Sequence, residues 1–148
     1  MTIETRLLTK DDIEALVPLF DSYRELYEQS SNISEARRFL LERFENRDSS
    51  IIGAFSNNHL IGFTQLYPTF SSVQMRRKWI LNDMFVVLEC RRLGAAKALL
   101  QSAADFARDT KATAMVLSTA SDNVAAQKVY EKNGWQRDQV FLNYNFKV

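Results

Sequence analysis

A basic turn with small residues stands between an apolar stretch and a helix-like pattern, and its residue types suit an anion. Arg91, Arg92 and Lys97 bring positive charge, and Gly94 has no Cβ, so a ligand can approach the main chain there. The N–H groups that begin a helix lack intrahelical partners and lie at the positive end of the helix dipole. We therefore expect this turn to bind a phosphate or pyrophosphate.

Taken alone, the turn is not specific to one kind of site. Gly94 could simply permit close packing. The turn lacks the Gly-Lys-Ser/Thr ending of the phosphate loop of nucleotide hydrolases, which excludes that site. It also has only one of the three glycines of the dinucleotide-binding fingerprint, so that class of site fits poorly.

A second motif makes the turn more specific. The first motif reads Arg-x-x-Gly-x-Ala from Arg91 to Ala96, and the second reads Asn-x-x-Ala-x-x-x-Tyr-x-x-x-Gly-Trp from Asn123 to Trp135. In this order they resemble the two signatures of the GCN5-related N-acetyltransferases (GNAT), the second of which usually ends in Gly-Phe. The resemblance extends over essentially the whole chain.

The resemblance implies a fold, a cosubstrate and a set of binding residues. The implied fold is α/β, a three-layer α/β/α arrangement. Its middle layer is a mixed β-sheet that is splayed at its centre. The implied cosubstrate is acetyl-CoA, with no metal. Its pyrophosphate would lie on the turn, its pantetheine arm would pair with a strand in the splayed gap, and a strand N–H would polarise the thioester carbonyl. The residues implied in coenzyme A binding are Met84, Phe85, Val86, Arg91, Arg92, Leu93, Gly94, Ala95, Ala96, Lys97 and Asn123.

Two residues of the second motif each have two interpretations. Helical spacing with Ala126 would make Tyr130 a core aromatic residue, whereas the resemblance implies a catalytic general acid that protonates the departing thiolate. A phenol with an ordinary pKa of about 10 can donate a proton at neutral pH. Asn123 is either the cap of the following helix or a partner of the pantetheine amides, and the two roles can coexist.

The acceptor is less constrained by the sequence. The segment LNDMFV, residues 81–86, resembles the Leu-Glu-Asp-Phe-Phe-Val segment of polyamine and diamine acetyltransferases, and the whole sequence is similar to the yeast-type histone and polyamine acetyltransferase-like subgroup. In this sequence Asn82 stands where those enzymes have the carboxylate that is proposed as general base. Asp83, or a chain of water molecules, would then have to accept the proton of the amine. Glu25 and Glu28, in an acidic first helical region, are either a solvated face or a subsite for a cationic amine.

Three further features are not expected to carry the chemistry. Cys90 flanks the turn and the one histidine, His59, lies far away in sequence, so a base-activated cysteine is not expected. With one Cys and one His, a zinc site is not expected either. The basic run 76–78 is interpreted as a solvated loop edge, with recognition of an anionic substrate or of nucleic acid as alternatives.

Composition bounds the class of protein. Of 148 residues, 46% are hydrophobic and 25% are charged, and the formal net charge of +1 argues against a general nucleic-acid or membrane binder. The N-terminus has no signal-peptide pattern, and no apolar run reaches transmembrane length. We expect a single domain over 1–148 in the cytoplasm, with no nucleic-acid or membrane partner. The family resemblance adds a homodimer.

Apolar periodicity predicts the order of the elements. The predicted strands are Ile3–Leu8, Ile51–Phe55, Leu60–Tyr67, Trp79–Leu88, a buried Ala114–Ser118, and Phe141–Phe146. The first predicted helix is capped by Thr9 and kinked at Pro18, the second is capped by Ser34, the third spans Arg92–Asp109, and the fourth spans Asn123–Asn133 and is ended by Gly134. Pro68–Gln74 is predicted to be a loop.

The resemblance to the GNAT family implies an acetyl-CoA-dependent N-acetyltransferase. The acetyl group would move directly to a primary amine of a small amine, polyamine, amino acid or protein. The first alternative is a non-catalytic acyl-CoA-binding or regulatory domain of the same fold. The second, a nucleic-acid-binding module, depends on the basic run 76–78 alone.

Overall fold

Five strands and four helices make up the part of the chain that the computed structural model describes, residues 2–148. The chain divides into two compact units, one ending at Ser118 and one beginning at Thr119. The first unit contains β1 (Glu4–Leu7), α1 (Ile13–Leu26), α2 (Ile33–Asn46), β2 (Ser50–Ser56), β3 (His59–Ser71), β4 (Arg76–Val86), α3 (Ala95–Asp109) and β5 (Ala114–Val116). The second unit contains α4 (Val124–Lys132).

The strands form one mixed sheet in the order β1-β2-β3-β4-β5. Neighbours are antiparallel except β4 and β5, which are parallel. β5 pairs with β4 only over Lys78–Ile80. The register of β3 on β4 shifts after Gln65, because Gln65 pairs with Asp83 while the next residue, Leu66, pairs with Leu81. Asn82 is therefore the extra residue of a bulge.

The sheet is the middle of three layers. α1 packs on β3 and β4, α2 packs on α1, and α3 packs across the sheet from β1 to β5. The core between the sheet and the first two helices is apolar, and its buried members are Leu8, Leu16, Val17, Phe20, Ala36, Leu40, Ile51, Phe63 and Phe85. α3 buries a stripe of alanine and leucine side chains, which consists of Ala95, Leu99, Leu100, Ala103 and Ala107.

The helix starts differ in part from those expected. The side chain of Thr9 accepts a hydrogen bond from Asp11 N in a short 3₁₀ turn before α1, as a cap should. α1 then continues through Pro18. The predicted Ser34 cap of α2 is wrong: Asn32 precedes the helix, and its side chain accepts from Glu35 N.

Several predicted boundaries are also wrong. β3 runs through Pro68 to Ser71 and β4 begins at Arg76, so most of the predicted loop Pro68–Gln74 is strand. The third helix begins at Ala95 rather than Arg92, because Arg92 and Gly94 have φ of 67° and 90° and cannot continue a right-handed helix. β5 is not buried, since Ala114 and Val116 are exposed.

The second unit is built around α4. Its end is the Gly134 cap that the sequence predicts: Gly134 has φ 93°, and Trp135 N donates to Tyr130 O at 3.0 Å. The predicted strand Phe141–Phe146 is wrong, because no strand lies beyond β5 in the described residues. Its apolar pattern suits a strand, but a strand needs a hydrogen-bonded neighbour. No helix of residues 2–148 is long and apolar enough to cross a membrane.

Candidate active site

The turn between β4 and α3 is tied to the end of β4. Arg91 Nε donates to the main-chain oxygen of Val86 at 3.0 Å, and its guanidinium carbon lies 5.7 Å from the Phe85 ring centroid. Arg92, Leu93 and the rest of the turn to Gly94 are exposed. The sequence predicts that Arg91 binds coenzyme A through its positive charge, whereas in the structure its side chain anchors the turn on the strand.

The start of α3 offers main-chain donors. Gly94 precedes the helix in a left-handed conformation, and no side-chain cap hydrogen bond forms at this start within the described chain. The first intrahelical bond joins Ala98 N to Gly94 O at 3.0 Å, which leaves the N–H groups of Ala95, Ala96 and Lys97 without an intrahelical acceptor. A Cβ built on Gly94 would meet no described atom within 4 Å, so the approach to these donors is open.

The end of β4 adds an unpaired strand edge. Val87 N donates to Ile61 O at 2.8 Å across to β3. Main-chain groups of successive strand residues point to opposite edges, so those of Met84 and Val86 point away from β3. Within the described residues of the first unit, no strand pairs with that edge beyond Ile80. β5 ends at Val116, opposite Ile80, so this edge of β4 has no strand partner beyond that pair among the described residues.

β4 itself also carries a buried carboxylate. Asp83 is 3% exposed, and its carboxylate accepts hydrogen bonds of 2.6 Å from Gln65 Nε2 and from Asn82 Nδ2. Burial raises the pKa of Asp83, although the hydrogen bonds from Asn82, Gln65 and Tyr23 oppose the rise. Asp83 therefore holds a proton more readily than an ordinary aspartate.

Two tyrosines surround this carboxylate. Tyr23 Oη donates to Asn82 O at 3.3 Å, and its ring lies 5.9 Å from the Phe63 ring at a near-perpendicular angle. Burial, followed by the charge of Asp83, raises the pKa of Tyr67 to about 12 and that of Tyr23 further. Both phenols therefore stay protonated at neutral pH.

The predicted acceptor carboxylates fall at the end of α1. Glu25 lies in its last turn, Glu28 lies just beyond with φ 63°, and both are exposed. Tyr27 is 65% exposed beside them, and its ring stacks at an angle on Tyr23, with centroids 5.1 Å apart. Glu25, Glu28 and Asp83 thus belong to one unit, but only Asp83 is held by side-chain partners.

Asn123 and Tyr130 belong to the second unit, at the two ends of α4. Asn123 Oδ1 accepts from Ala126 N at 3.1 Å, which makes it the cap of the helix. The Tyr130 ring lies 6.1 Å from the Trp135 ring. That pair is the apolar contact that commonly accompanies this glycine cap, so Tyr130 has a structural role of its own.

The partners of Asp83 were missed by sequence reasoning. Gln65 and Tyr23 carry no motif, and only the fold brings them to Asp83. Cys90 is half-buried beside the turn, while the His59 ring contacts only Asn57 O among the side-chain hydrogen bonds described. Across residues 2–148, no three His, Cys, Asp or Glu side chains are grouped so as to hold a metal ion.

Several known proteins are similar to this chain in sequence and in structure. The model of the Acetyltransferase (GNAT) family matches residues 16–135. The uncharacterized N-acetyltransferase YhfO of Bacillus subtilis (strain 168) is 47% identical over 137 residues, which are 93% of this chain and 92% of that protein. A crystal structure of a probable acetyltransferase is 43% identical with a TM-score of 0.93, over 100% of this chain and 98% of that one.

A more distant structure shares the fold. AAC(6')-Iy, in complex with the bisubstrate analogue CoA-S-monomethyl-acetylneamine, is 18% identical with a TM-score of 0.80, over 100% of both chains. At that identity the likeness shows the fold alone. The three-layer fold and the superfamily that the sequence predicts are confirmed, whereas the acetyl-CoA cosubstrate and the polyamine subgroup stay predictions. The chain belongs to the GNAT family of acetyltransferases.

Proposed function

We propose that this enzyme transfers the acetyl group of acetyl-CoA directly to a primary amine. The observation that carries the proposal is the uncapped start of α3 beside the unpaired edge of β4. One feature suits a pyrophosphate and the other suits the amides of a pantetheine arm. The alternative is a non-catalytic domain that binds acyl-CoA through the same two features.

The cosubstrate is held mainly by main-chain groups in this proposal. The N–H groups of Ala95, Ala96 and Lys97, with Gly94 and the charge of Arg92, bind the pyrophosphate. The outward main-chain groups of Met84 and the outward N–H of Val86 pair with the pantetheine amides as an added strand would, while Val86 O accepts from Arg91 Nε. Asn123 uses Oδ1 for its cap, which leaves Nδ2 to donate to a pantetheine carbonyl.

The reaction is a single displacement at the thioester carbonyl. The amine nitrogen forms a bond to the carbonyl carbon, an N–H at the β4 edge stabilises the oxyanion, and the C–S bond then breaks. Tyr130 gives its proton to the departing thiolate, and Asp83 takes the proton that the amine loses. The raised pKa of Asp83 supports its role, since it makes this carboxylate a better proton acceptor.

We propose a cationic amine as the acceptor. Glu25 and Glu28 are exposed at the end of α1, and Tyr23 and Tyr27 form an aromatic surface beside them. Carboxylates attract an ammonium group, and tyrosine faces attract cations over their rings. The aminoglycoside-derived analogue bound by AAC(6')-Iy supports small polycationic amines as the first class to test.

The test is a panel of amines with acetyl-CoA, read by thiol release and by the mass of the product. The panel includes polyamines, aminoglycosides, amino acids and peptides with a free N-terminus. We expect an acetylated cationic amine, with one thiol released for each acetyl group transferred. Coenzyme A binding without turnover on any amine would support the non-catalytic alternative instead.

We also propose a homodimer. Six apolar residues near the end of the chain, Val140, Phe141, Leu142, Tyr144, Phe146 and Val148, are each at least 73% exposed. Apolar surface of this kind usually marks an interface. Light scattering during size-exclusion chromatography should give twice the 17.1 kDa chain mass. A monomeric mass that persists at high concentration would contradict the proposal.

The cytoplasmic location expected from the sequence stays a prediction.

A further inference from the structure

We propose that a cleft at the C-terminal end of α3 binds a small organic anion. The cleft has a volume of about 440 Å³, is open to solvent, and lies wholly within the first unit, between α3, β4 and the segment that joins α2 to β2. No assigned role of the enzyme uses it.

Two guanidinium groups give the cleft its charge. Arg47 follows α2 with φ 53°, and Arg77 lies on β4. Among the described residues neither has a carboxylate within 4.0 Å, and none of the side chains that line the cleft is acidic. Asp48, the carboxylate next to Arg47 in sequence, is instead 3.3 Å from Arg43. The cleft therefore presents two positive charges that form no ion pair with the described residues.

Aromatic rings form the base of the cleft. Trp79 is 5% exposed, and its ring lies 5.0 Å from that of Phe106. The indole Nε1 donates to Thr110 Oγ1 at 2.8 Å, so its polar atom is already satisfied. Pro68 lies at the side of the cleft. The base is therefore rigid, and the polar and charged residues around it are the ones that face a ligand.

The aromatic rings also hold one charge in place. The Arg77 guanidinium carbon lies 5.1 Å from the Trp79 centroid and 5.1 Å from the Phe70 centroid. A guanidinium stacked in this way keeps its N–H edges free for a carboxylate or phosphate. The hydroxyls of Ser49 and Ser50, which also line the cleft, can donate to the same anion.

The position explains why the ligand needs these arginines. The C-terminal end of a helix carries about half a negative charge and disfavours an anion, but two full positive charges outweigh it. The cleft is also separate from the coenzyme turn. Phe106 lies 11 residues after Ala95 along α3, which is about 16 Å at the rise of an α-helix.

The test uses NMR of the ¹⁵N-labelled full chain with 2-naphthoate as the probe. The Trp79 indole N–H signal is identified by its persistence in Trp135→Phe, because the chain has two tryptophans. We expect this signal to shift with a Kd of about 1 mM, which is the affinity usual for a ligand of this size. Neutral 2-naphthalenemethanol should bind at least about 10-fold more weakly. Equal affinity for the two probes would overturn the proposal.

Variants separate the cleft from general charge. Arg77→Gln and Arg47→Gln should each weaken 2-naphthoate binding at least about 5-fold. Arg38→Gln, which removes a charge from the exposed face of α2, should leave it unchanged. Arg47 is exposed, so its variant keeps the test valid if Arg77→Gln fails to fold. Wild-type affinity in a folded Arg47→Gln protein would contradict the proposal. So would loss of 2-naphthoate binding in saturating coenzyme A, since the probe would then be occupying the cosubstrate site.

Discussion

Helices α3 and α4 begin in opposite ways. At α4, the Asn123 side chain accepts from Ala126 N at 3.1 Å, so the helix start is satisfied by its own sequence. At α3, Gly94 has no side chain, and its start has no side-chain cap among the described residues. Replacing a capping side chain by glycine costs only about a few tenths of a kcal/mol. The chain therefore gives up little stability by leaving the start of α3 open to a ligand.

Two buried aspartates of the first unit show the same contrast. Asp21 accepts from Ser31 Oγ at 2.6 Å and from Asn32 N at 2.8 Å, and these hydrogen bonds lower its pKa. Asp83 has donors too, but burial dominates and raises its pKa. Asp21 is a carboxylate that holds α1 to the start of α2, whereas Asp83 is kept at a cost in stability and is suited to accept a proton.

The largest effect is expected from a substitution that blocks the open start of α3. In Gly94→Glu a carboxylate would stand where the pyrophosphate is proposed to bind. Two like charges about 4 Å apart repel by about 1 kcal/mol in water and about 4 kcal/mol near a protein surface. We therefore expect the Kd for coenzyme A to rise about 100-fold, as measured by calorimetry on a protein whose circular dichroism is unchanged.

Gly134→Glu is the matched control. Gly134 has φ 93° against 90° for Gly94, and a Cβ at either position would meet no described atom within 4 Å. Both variants should lose about 1 kcal/mol of stability from the strained backbone. Only Gly94→Glu should lose most of its coenzyme A affinity. Equal losses in the two variants would mean that backbone strain, and not the anion site, is responsible.

The next largest effect should be on the turnover rate and not on cosubstrate binding. Tyr130→Phe keeps the ring contact with Trp135 but removes the proton. We expect turnover to fall about 100-fold at an unchanged KM for acetyl-CoA, and the deficit to shrink for thioesters of more acidic thiols. Tyr144→Phe, which removes the same atom at a site 88% exposed, should be neutral. Turnover near that of the wild type, where chemistry is rate-limiting, would leave Tyr130 with its structural role alone.

Substitution of the two aspartates should have opposite effects: loss of the Asp83 carboxylate should lower activity, and loss of the Asp21 carboxylate should lower stability. Asp83→Asn is expected to lower turnover about 10-fold or more and to keep or raise the melting temperature. The new amide can be satisfied, because buried Gln65 Oε1 has no hydrogen-bond partner among the described residues and can accept from it after an amide flip. Asp21→Asn should lose about 2 kcal/mol of unfolding free energy with normal turnover per folded molecule. The reverse pattern would refute the comparison.

The pH dependence of unfolding separates the same pair. The contribution of Asp21 is complete above the ordinary aspartate pKa of about 3.9 and is lost as pH falls through its lowered native pKa. The penalty from Asp83 is absent below about 3.9, grows as pH rises from there to its raised native pKa, and is complete above it. In urea titrations, the gain of Asp83→Asn over the wild type should therefore change at higher pH than the deficit of Asp21→Asn.

The sequence predicts well what is set locally. The left-handed Gly134, the Asn123 cap and the basic turn all follow from residues within a few positions of one another. The layered fold follows because apolar periodicity marks which elements must bury a face. The placement of Asn123 and Tyr130 against the cosubstrate depends on the family resemblance and is still a proposal.

What depends on pairing could not be predicted. Gln65 and Asp83 meet because the register of β3 on β4 shifts after Gln65. Asn82 therefore has no residue opposite it in β3. An alternating pattern fixes which face a side chain takes, but it does not say which strand lies opposite or where a bulge falls. For the same reason the pattern of 141–146 predicted a strand that has no neighbour in the described chain.

The smallest expected effect tests whether Asn123 serves only its own helix. α4 has nine residues and none that is buried, so its stability depends strongly on its cap. Asn123→Ala should lower the unfolding free energy by about 1 kcal/mol. Asn123→Asp keeps the accepting oxygen and adds a charge that favours a helix start, so it should unfold like the wild type. Because both variants lack Nδ2, both should raise the KM for acetyl-CoA about 5-fold, the equivalent of one hydrogen bond. An unchanged KM in Asn123→Asp would confine Asn123 to the cap and make the contrast between α3 and α4 complete.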